Sequence, residues 1–128
     1  MTNDAAGRRD SVNYVARHHE LQAGFRSLSD AIGPTMSGFG KLHRSAMAPG
    51  ALDSATKELI ALAIGITSHC DGCIAFHVHD ALRAGASRAQ VEETIGVAIM
   101  MGGGPSAVFG SDALAALAQF EQAGVTPA

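Results

Sequence analysis

The 128-residue sequence predicts an all-α fold, and three observations carry the prediction. Apolar residues make up 47% of the chain but aromatics only 5%, so the core must be built from Ala, Leu, Ile, Val and Met. Such small side chains suit closely approaching helices better than broad sheets. Apolar positions recur at mostly helical spacings, and neither an Asn-Gly hairpin nor a sustained apolar–polar alternation marks a strand. A chain of this length buries a core without staples, and we expect one compact domain of about six helices. Residues 1–10 read as a flexible lead-in and residues 11–128 as the single helical domain.

Taken in order, Val15, Leu21, Phe25, Leu28 and Ile32 mark a first amphipathic helix between Val12 and Ile32, closed by Gly33-Pro34. Pro34 suits the first turn of a second helix, whose apolar side would carry Met36, Phe39, Leu42 and Met47 before a turn at Ala48-Pro49-Gly50. Asp53 or Ser54 can cap a third helix, ATKELIALAIGITSH, which is apolar on nearly every face after Glu58. A helix without a polar face is buried, in the core or in a subunit interface. A fourth helix starts near the cysteines and stops at Gly85, and Ser87 with Gln90 forms a capping box for a fifth, running through Met101. The run Gly102 to Pro105 breaks the chain before a last helix that ends near Gly124. That glycine run is no phosphate loop, because no Lys-Ser or Lys-Thr follows it and no strand precedes it.

The formal charge of −3, with no basic run, argues against nucleic acid as a partner. The polar start MTNDAAGRRD does not read as a secretory signal, and the longest apolar run, Leu59 to Ile66, is too short to span a membrane. A cytoplasmic protein is expected. In a reducing compartment two cysteines three apart point to redox or metal chemistry rather than to a static staple.

Both cysteines and three of the six histidines lie in one stretch, Ser68 to Gly85, SHCDGCIAFHVHDALRAG. At about 100° per residue, Cys70, Cys73 and His77 share one helix face and His79 points nearly the other way. Ile74, Val78 and Ala81 fill a neighbouring apolar flank, which places the sulfurs at the edge of the core. A cysteine in a first helical turn feels the positive end of the macrodipole, which favours the thiolate that attacks peroxides and disulfides. A second thiol one turn away can condense with a sulfenic acid, and His77 can relay the proton. Glu58 heads an otherwise apolar segment and needs a partner in the tertiary fold. His77 is the natural one, which makes a Glu–His–Cys relay.

The pattern Glu58, eleven residues, Cys70-Asp71-Gly72-Cys73, three residues, His77, followed by DALRAGAS and a later GGGP, resembles the alkylhydroperoxidase D / carboxymuconolactone decarboxylase family over roughly Met47 to Leu117. The resemblance implies an all-helical homo-oligomer, a trimer or hexamer, that reduces alkyl hydroperoxides or disulfides with its thiols in an antioxidant role. It implies no metal and no prosthetic group. Matched position by position, it puts the attacking thiol at Cys73, the resolving thiol at Cys70, the relay histidine at His77 and the acid at Glu58. A lipoyl- or thioredoxin-like protein is the electron donor it suggests. The chain departs from the pattern at Gly72, where the family's peroxidase members carry a histidine.

Two other functions stay open at this point. A Cys2His zinc module could use Cys70, Cys73 and His77, completed by Glu58, whereas adding His79 would require the helix to unwind. A cofactor-free lyase of the family's decarboxylase branch would act without the paired thiols. Of the remaining histidines, His69 sits at a helix junction where it could cap or line a pocket, and His79 reads as a surface or interface residue. His18, His19 and His43 read as exposed faces of early helices. Met100 and Met101 are expected in the core and Glu92 and Glu93 on a solvated face.

Overall fold

A computed structural model describes residues 12–128, and the expected lead-in, residues 1–10, lies outside them. Six helices and no strand occur among the described residues: α1 (Tyr14–Ala31), α2 (Gly33–Met47), α3 (Ser54–Thr67), α4 (Asp71–Arg83), α5 (Arg88–Gly102) and α6 (Gly104–Gln122). Most begin where the sequence offers a cap. The side chains of Asn13 and Asp53 accept the backbone N–H groups of Ala16 and Thr56, and Ser87 with Gln90 forms the expected reciprocal box. Pro34 and Pro105 stand in the first turns of α2 and α6, where a missing N–H costs nothing. Gly85 and Gly124, both at positive φ, follow α4 and α6 and turn the chain.

α3, α4, α5 and α6 enclose the core around Leu62, Ile66, Ile74, Val78, Val91, Leu117 and Phe120, all essentially without exposure. Ala75, Ala81, Ala98, Ala113 and Ala116 fill the rest, so the helices approach closely, as the small-residue composition requires. α1 packs on α4 and α6, and α2 packs mainly on α1. The start of α1 is pinned: Tyr14 N–H donates to Gln119 Oε1 at 2.6 Å, and Gln119 Nε2 donates to the Val12 carbonyl at 2.8 Å.

Several sequence expectations are corrected here. His18 is buried, at 5% exposure, because α1 turns it inward against Phe76 and Phe120. Met100 and Met101 are not core; at 72% and 73% exposure they end α5 beyond the reach of α6, which restarts at Gly104. Phe25, Leu28 and Ile32 carry the apolar stripe to the end of α1 but stay partly open, at 39%, 41% and 43% exposure. α3 splits its apolar surface: Leu62 and Ile66 face inward, while Ile60 and Ile64 are 45% and 60% exposed. Glu92 and Glu93 lie on the solvated face of α5 as expected.

Candidate functional site

α3 and α4 are joined by a linker that fixes the cysteines relative to Glu58. The N–H of Cys70 bonds the Gly65 carbonyl at 3.0 Å and that of His69 bonds the Ile66 carbonyl at 3.2 Å, the two bonds of a Schellman turn. His69 takes the left-handed conformation, φ 56°, that glycine usually supplies there, and its ring lies flat on Phe109 with centroids 4.8 Å apart. Cys70 ends that turn and is also the N-cap of α4, its Sγ accepting the Cys73 N–H at 3.1 Å. Cys73 follows in the first turn, so both sulfurs stand at the positive end of the α4 dipole. The two are joined as a disulfide.

Glu58 and His77 meet as the sequence predicts. His77 Nδ1 and Glu58 Oε2 are 2.8 Å apart, with Glu58 buried and His77 four-fifths buried. With Nδ1 turned to the carboxylate, the second ring nitrogen of His77, Nε2, is the one left for work outside this pair. Gly65 allows the approach of α3 and α4, since a side chain there would press on Cys73.

Asp71, between the cysteines, adds a negative charge to the same helix end. α1 holds it: Tyr14 Oη donates to Oδ1 at 3.0 Å and Arg17 Nε lies 3.4 Å from Oδ2. α1 also covers Gly72, whose missing side chain leaves room for Leu21.

A cleft of about 580 Å³ opens between the α1–α2 hairpin and α4. Cys73 and His77 line it, together with Phe76 and Asp80 of the same helix, whereas Cys70 and Glu58 do not reach it. Phe25, Arg26, Met36, Phe39, His43 and Arg44 supply much of the facing wall. The sequence marks Phe25, Met36 and Phe39 only as apolar sides of their helices and His43 only as an exposed residue, and singles out neither arginine. Asp80 was legible in principle, being three residues on from His77 and therefore on the same face; the residues of the hairpin were not, because their place depends on how α2 folds back.

His79 points away from the cleft, as its spacing requires. It stacks on His18 with ring centroids 4.0 Å apart, and its Nδ1 pairs with Asp80 Oδ1 across 2.8 Å. Burial first, and then the neighbouring His79, hold His18 below the ordinary imidazole value of 6.5. Donor atoms within 4.8 Å of one another occur among the described residues at His18, His79 and Asp80, and at Glu58, His77 and Asp80. The alternative Cys2His set is not assembled in this structure, because the two sulfurs are bonded to each other and offer no thiolate pair.

No helix among the described residues is long and apolar enough to cross a membrane. The chain is 42% identical over 105 residues to an uncharacterized protein of Cupriavidus necator, covering 82% of this chain and 93% of that one. It is 40% identical over 85 residues to uncharacterized protein 4 of the cox locus of Paracoccus denitrificans, covering 66% and 77%. The fold is similar to the crystal structure of a carboxymuconolactone decarboxylase family protein from Legionella pneumophila, with a TM-score of 0.81, 36% identity, and coverage of 84% of this chain and 96% of that one. A Thermotoga maritima protein, TM1620, matches with a TM-score of 0.75 and 25% identity, over 87% of this chain and 95% of its own. The sequence profile of one family matches residues 34–126, which takes in both cysteines, Glu58 and His77 and leaves out α1, and on that match the chain belongs to the carboxymuconolactone decarboxylase family.

Proposed function

We propose that this protein is a dithiol peroxidase in which Cys73 attacks, Cys70 resolves, His77 moves the proton and Glu58 holds and polarises His77. The observation that carries the reading is the asymmetry of the cleft: Cys73 and His77 line it together, and Cys70 stands behind them at the helix cap. The Cys73 thiolate attacks the terminal oxygen of a hydroperoxide and the O–O bond breaks. His77 passes the proton it took from the Cys73 thiol to the departing alkoxide, which leaves as the alcohol, and Cys73 is left as the sulfenic acid. The Cys70 thiol then attacks that sulfur, the S–S bond forms as the S–O bond breaks, and the hydroxyl leaves as water with the Cys70 proton. Two thiols and one hydroperoxide thus yield a disulfide, an alcohol and water. The Cys70–Cys73 disulfide is the product this cycle requires, and a lipoyl- or thioredoxin-like dithiol donor returns it to the reduced state. An antioxidative role has been suggested for the Thermotoga maritima relative, which is in keeping with this chemistry.

The exposed Ile60, Ile64, Val97, Met100 and Met101 support a homo-oligomer, a trimer or hexamer by resemblance, that covers these side chains. Sedimentation as a monomer at micromolar concentration would refute it. For the chemistry, reduced protein receives one equivalent of an alkyl hydroperoxide, and intact mass and free thiols are measured together. Loss of two hydrogens with both thiols gone is the expected result. Cys70→Ser should stop at a single oxidation, and Cys73→Ser should not turn over at all. Multiple turnovers by the Cys73 variant would overthrow the assignment.

A further inference from the structure

The cleft is larger, and differently charged, than a bare dithiol requires. Its volume of about 580 Å³ falls within the ~300–1,000 Å³ of ordinary small-molecule sites. A peroxide close to water in size would need little more than the ~30 Å³ that a water occupies.

The walls divide by chemistry. Phe25 of α1 meets Phe39 of α2 edge-on at 6.3 Å and Phe76 of α4 at 5.4 Å, so the three helices that line the cleft are joined by one aromatic surface. Two guanidinium groups, Arg26 on α1 and Arg44 on α2, stand on the same lining, and neither has an acidic partner among the described residues. The one carboxylate of the lining, Asp80, belongs to α4, one turn from His77, and is engaged by His79. Positive charge therefore lies on the hairpin and the reactive sulfur on α4, with aromatic surface on all three. A guanidinium fork matches a carboxylate in shape and charge.

We infer, on the premise that the dithiol is a peroxidase, that the cleft selects single-chain apolar hydroperoxides bearing a carboxylate, which are fatty-acid hydroperoxides. The acyl chain lies on Phe25, Phe39 and Phe76, the carboxylate meets Arg26 and Arg44, and the O–O group reaches Cys73. The carboxylate is unchanged by the reaction. Cys73 takes the terminal oxygen, the hydroxy acid leaves with the proton from His77, and closure of the disulfide by Cys70 releases water.

Binding and turnover test this separately. Calorimetric titration of the purified protein with decanoate and with methyl decanoate should show the acid bound about tenfold more tightly, the scale expected of two partly exposed charge pairs. Added salt should weaken the acid and spare the ester. The double variant Arg26→Gln/Arg44→Gln should bring the two affinities together, whereas Lys41→Gln, which removes a charge of the same sign outside the cleft, should keep the preference. The kcat/KM values for a fatty-acid hydroperoxide and its methyl ester should show the same ratio. Equal affinity for acid and ester, or a preference that survives the double variant, overturns the inference. Turnover of hydroperoxides without preference for the acid sinks the pocket and leaves the peroxidase standing. Selective binding of decanoate in a protein that reduces no hydroperoxide does the reverse.

Discussion

Gly65 of α3 lies directly against Cys73 of α4: a Cβ on Gly65 would stand 2.9 Å from the Cys73 Cβ. The contact sets the spacing of the two helices that bring Glu58 to His77. Gly65→Ala should therefore destabilise the fold by ~1–3 kcal/mol, the usual cost of overpacking. On the proposed peroxidase chemistry it should also lower turnover by about 100-fold through displacement of the thiol. Urea midpoints and hydroperoxide kinetics on the same preparation check both, and an alanine variant with unchanged turnover would separate this contact from the chemistry.

Glu58→Gln keeps the shape of the side chain but removes the charge that stabilises His77 when it holds a proton. Peroxidase kcat/KM should fall by about 10²- to 10³-fold, with near-native helicity by circular dichroism. A loss of less than threefold would mean that the 2.8 Å contact with His77 is structural.

His18 links stability to pH, and the direction follows from its depressed pKa. The unfolded chain takes up this proton near 6.5, and the folded protein only at lower pH, because burial and then His79 oppose the charge, with His19 adding to them and Asp80 partly offsetting them. The stabilising contribution is therefore complete above pH 6.5 and is lost as the pH falls from there through the lower folded value. Urea midpoints should drop between pH 7.5 and pH 5, and His18→Phe, which keeps a ring against Phe76 and Phe120, should flatten the drop. An identical pH profile in the variant would assign the effect to other groups.

Gly72 and Gly102 should respond to alanine in opposite measure. At Gly72 the new methyl would meet only the flexible end of Leu21, at 3.2 Å, a tight contact set against the up to ~1 kcal/mol that alanine gains over glycine in a helix, so the net change for Gly72→Ala should stay below ~0.5 kcal/mol. At Gly102 it would collide with the Ser106 hydroxyl and lie 2.8 Å from Ser106 Cβ, in a place where Ser106 is fully buried. Gly102→Ala should cost ~1–3 kcal/mol, read from denaturant titration.

Local chemistry made the helices legible. Asp53, Ser87 and the prolines act within one turn, and α2, α3, α5 and α6 stand within a few residues of where these signals place them. The pairing of Glu58 with His77 was legible for a related reason, since a carboxylate isolated on an apolar helix must find a partner. Which way a face turns in space was not legible. His18 lies among polar neighbours in the sequence, and only the packing of α1 on α4 and α6 makes it a buried ring. Met100 and Met101 look like core residues by composition, yet they stand where α5 runs past the helices that would cover it. The cleft escaped for the same reason: Phe25, Phe39 and Arg44 come together only through the hairpin.

α2 contributes five residues to the cleft but has no buried residue of its own. Substitutions along it meet few neighbours that would reject them, whereas those on α3 or α4 meet a packed interior. Evolution can therefore redraw the mouth of the cleft at little risk to folding while the cysteines, His77 and Glu58 stay put on α3, α4 and the turn between them. Within the family, substrate range should diverge fastest along this one helix, and exchanging it between relatives is the shortest route to moving a preference from one member to another.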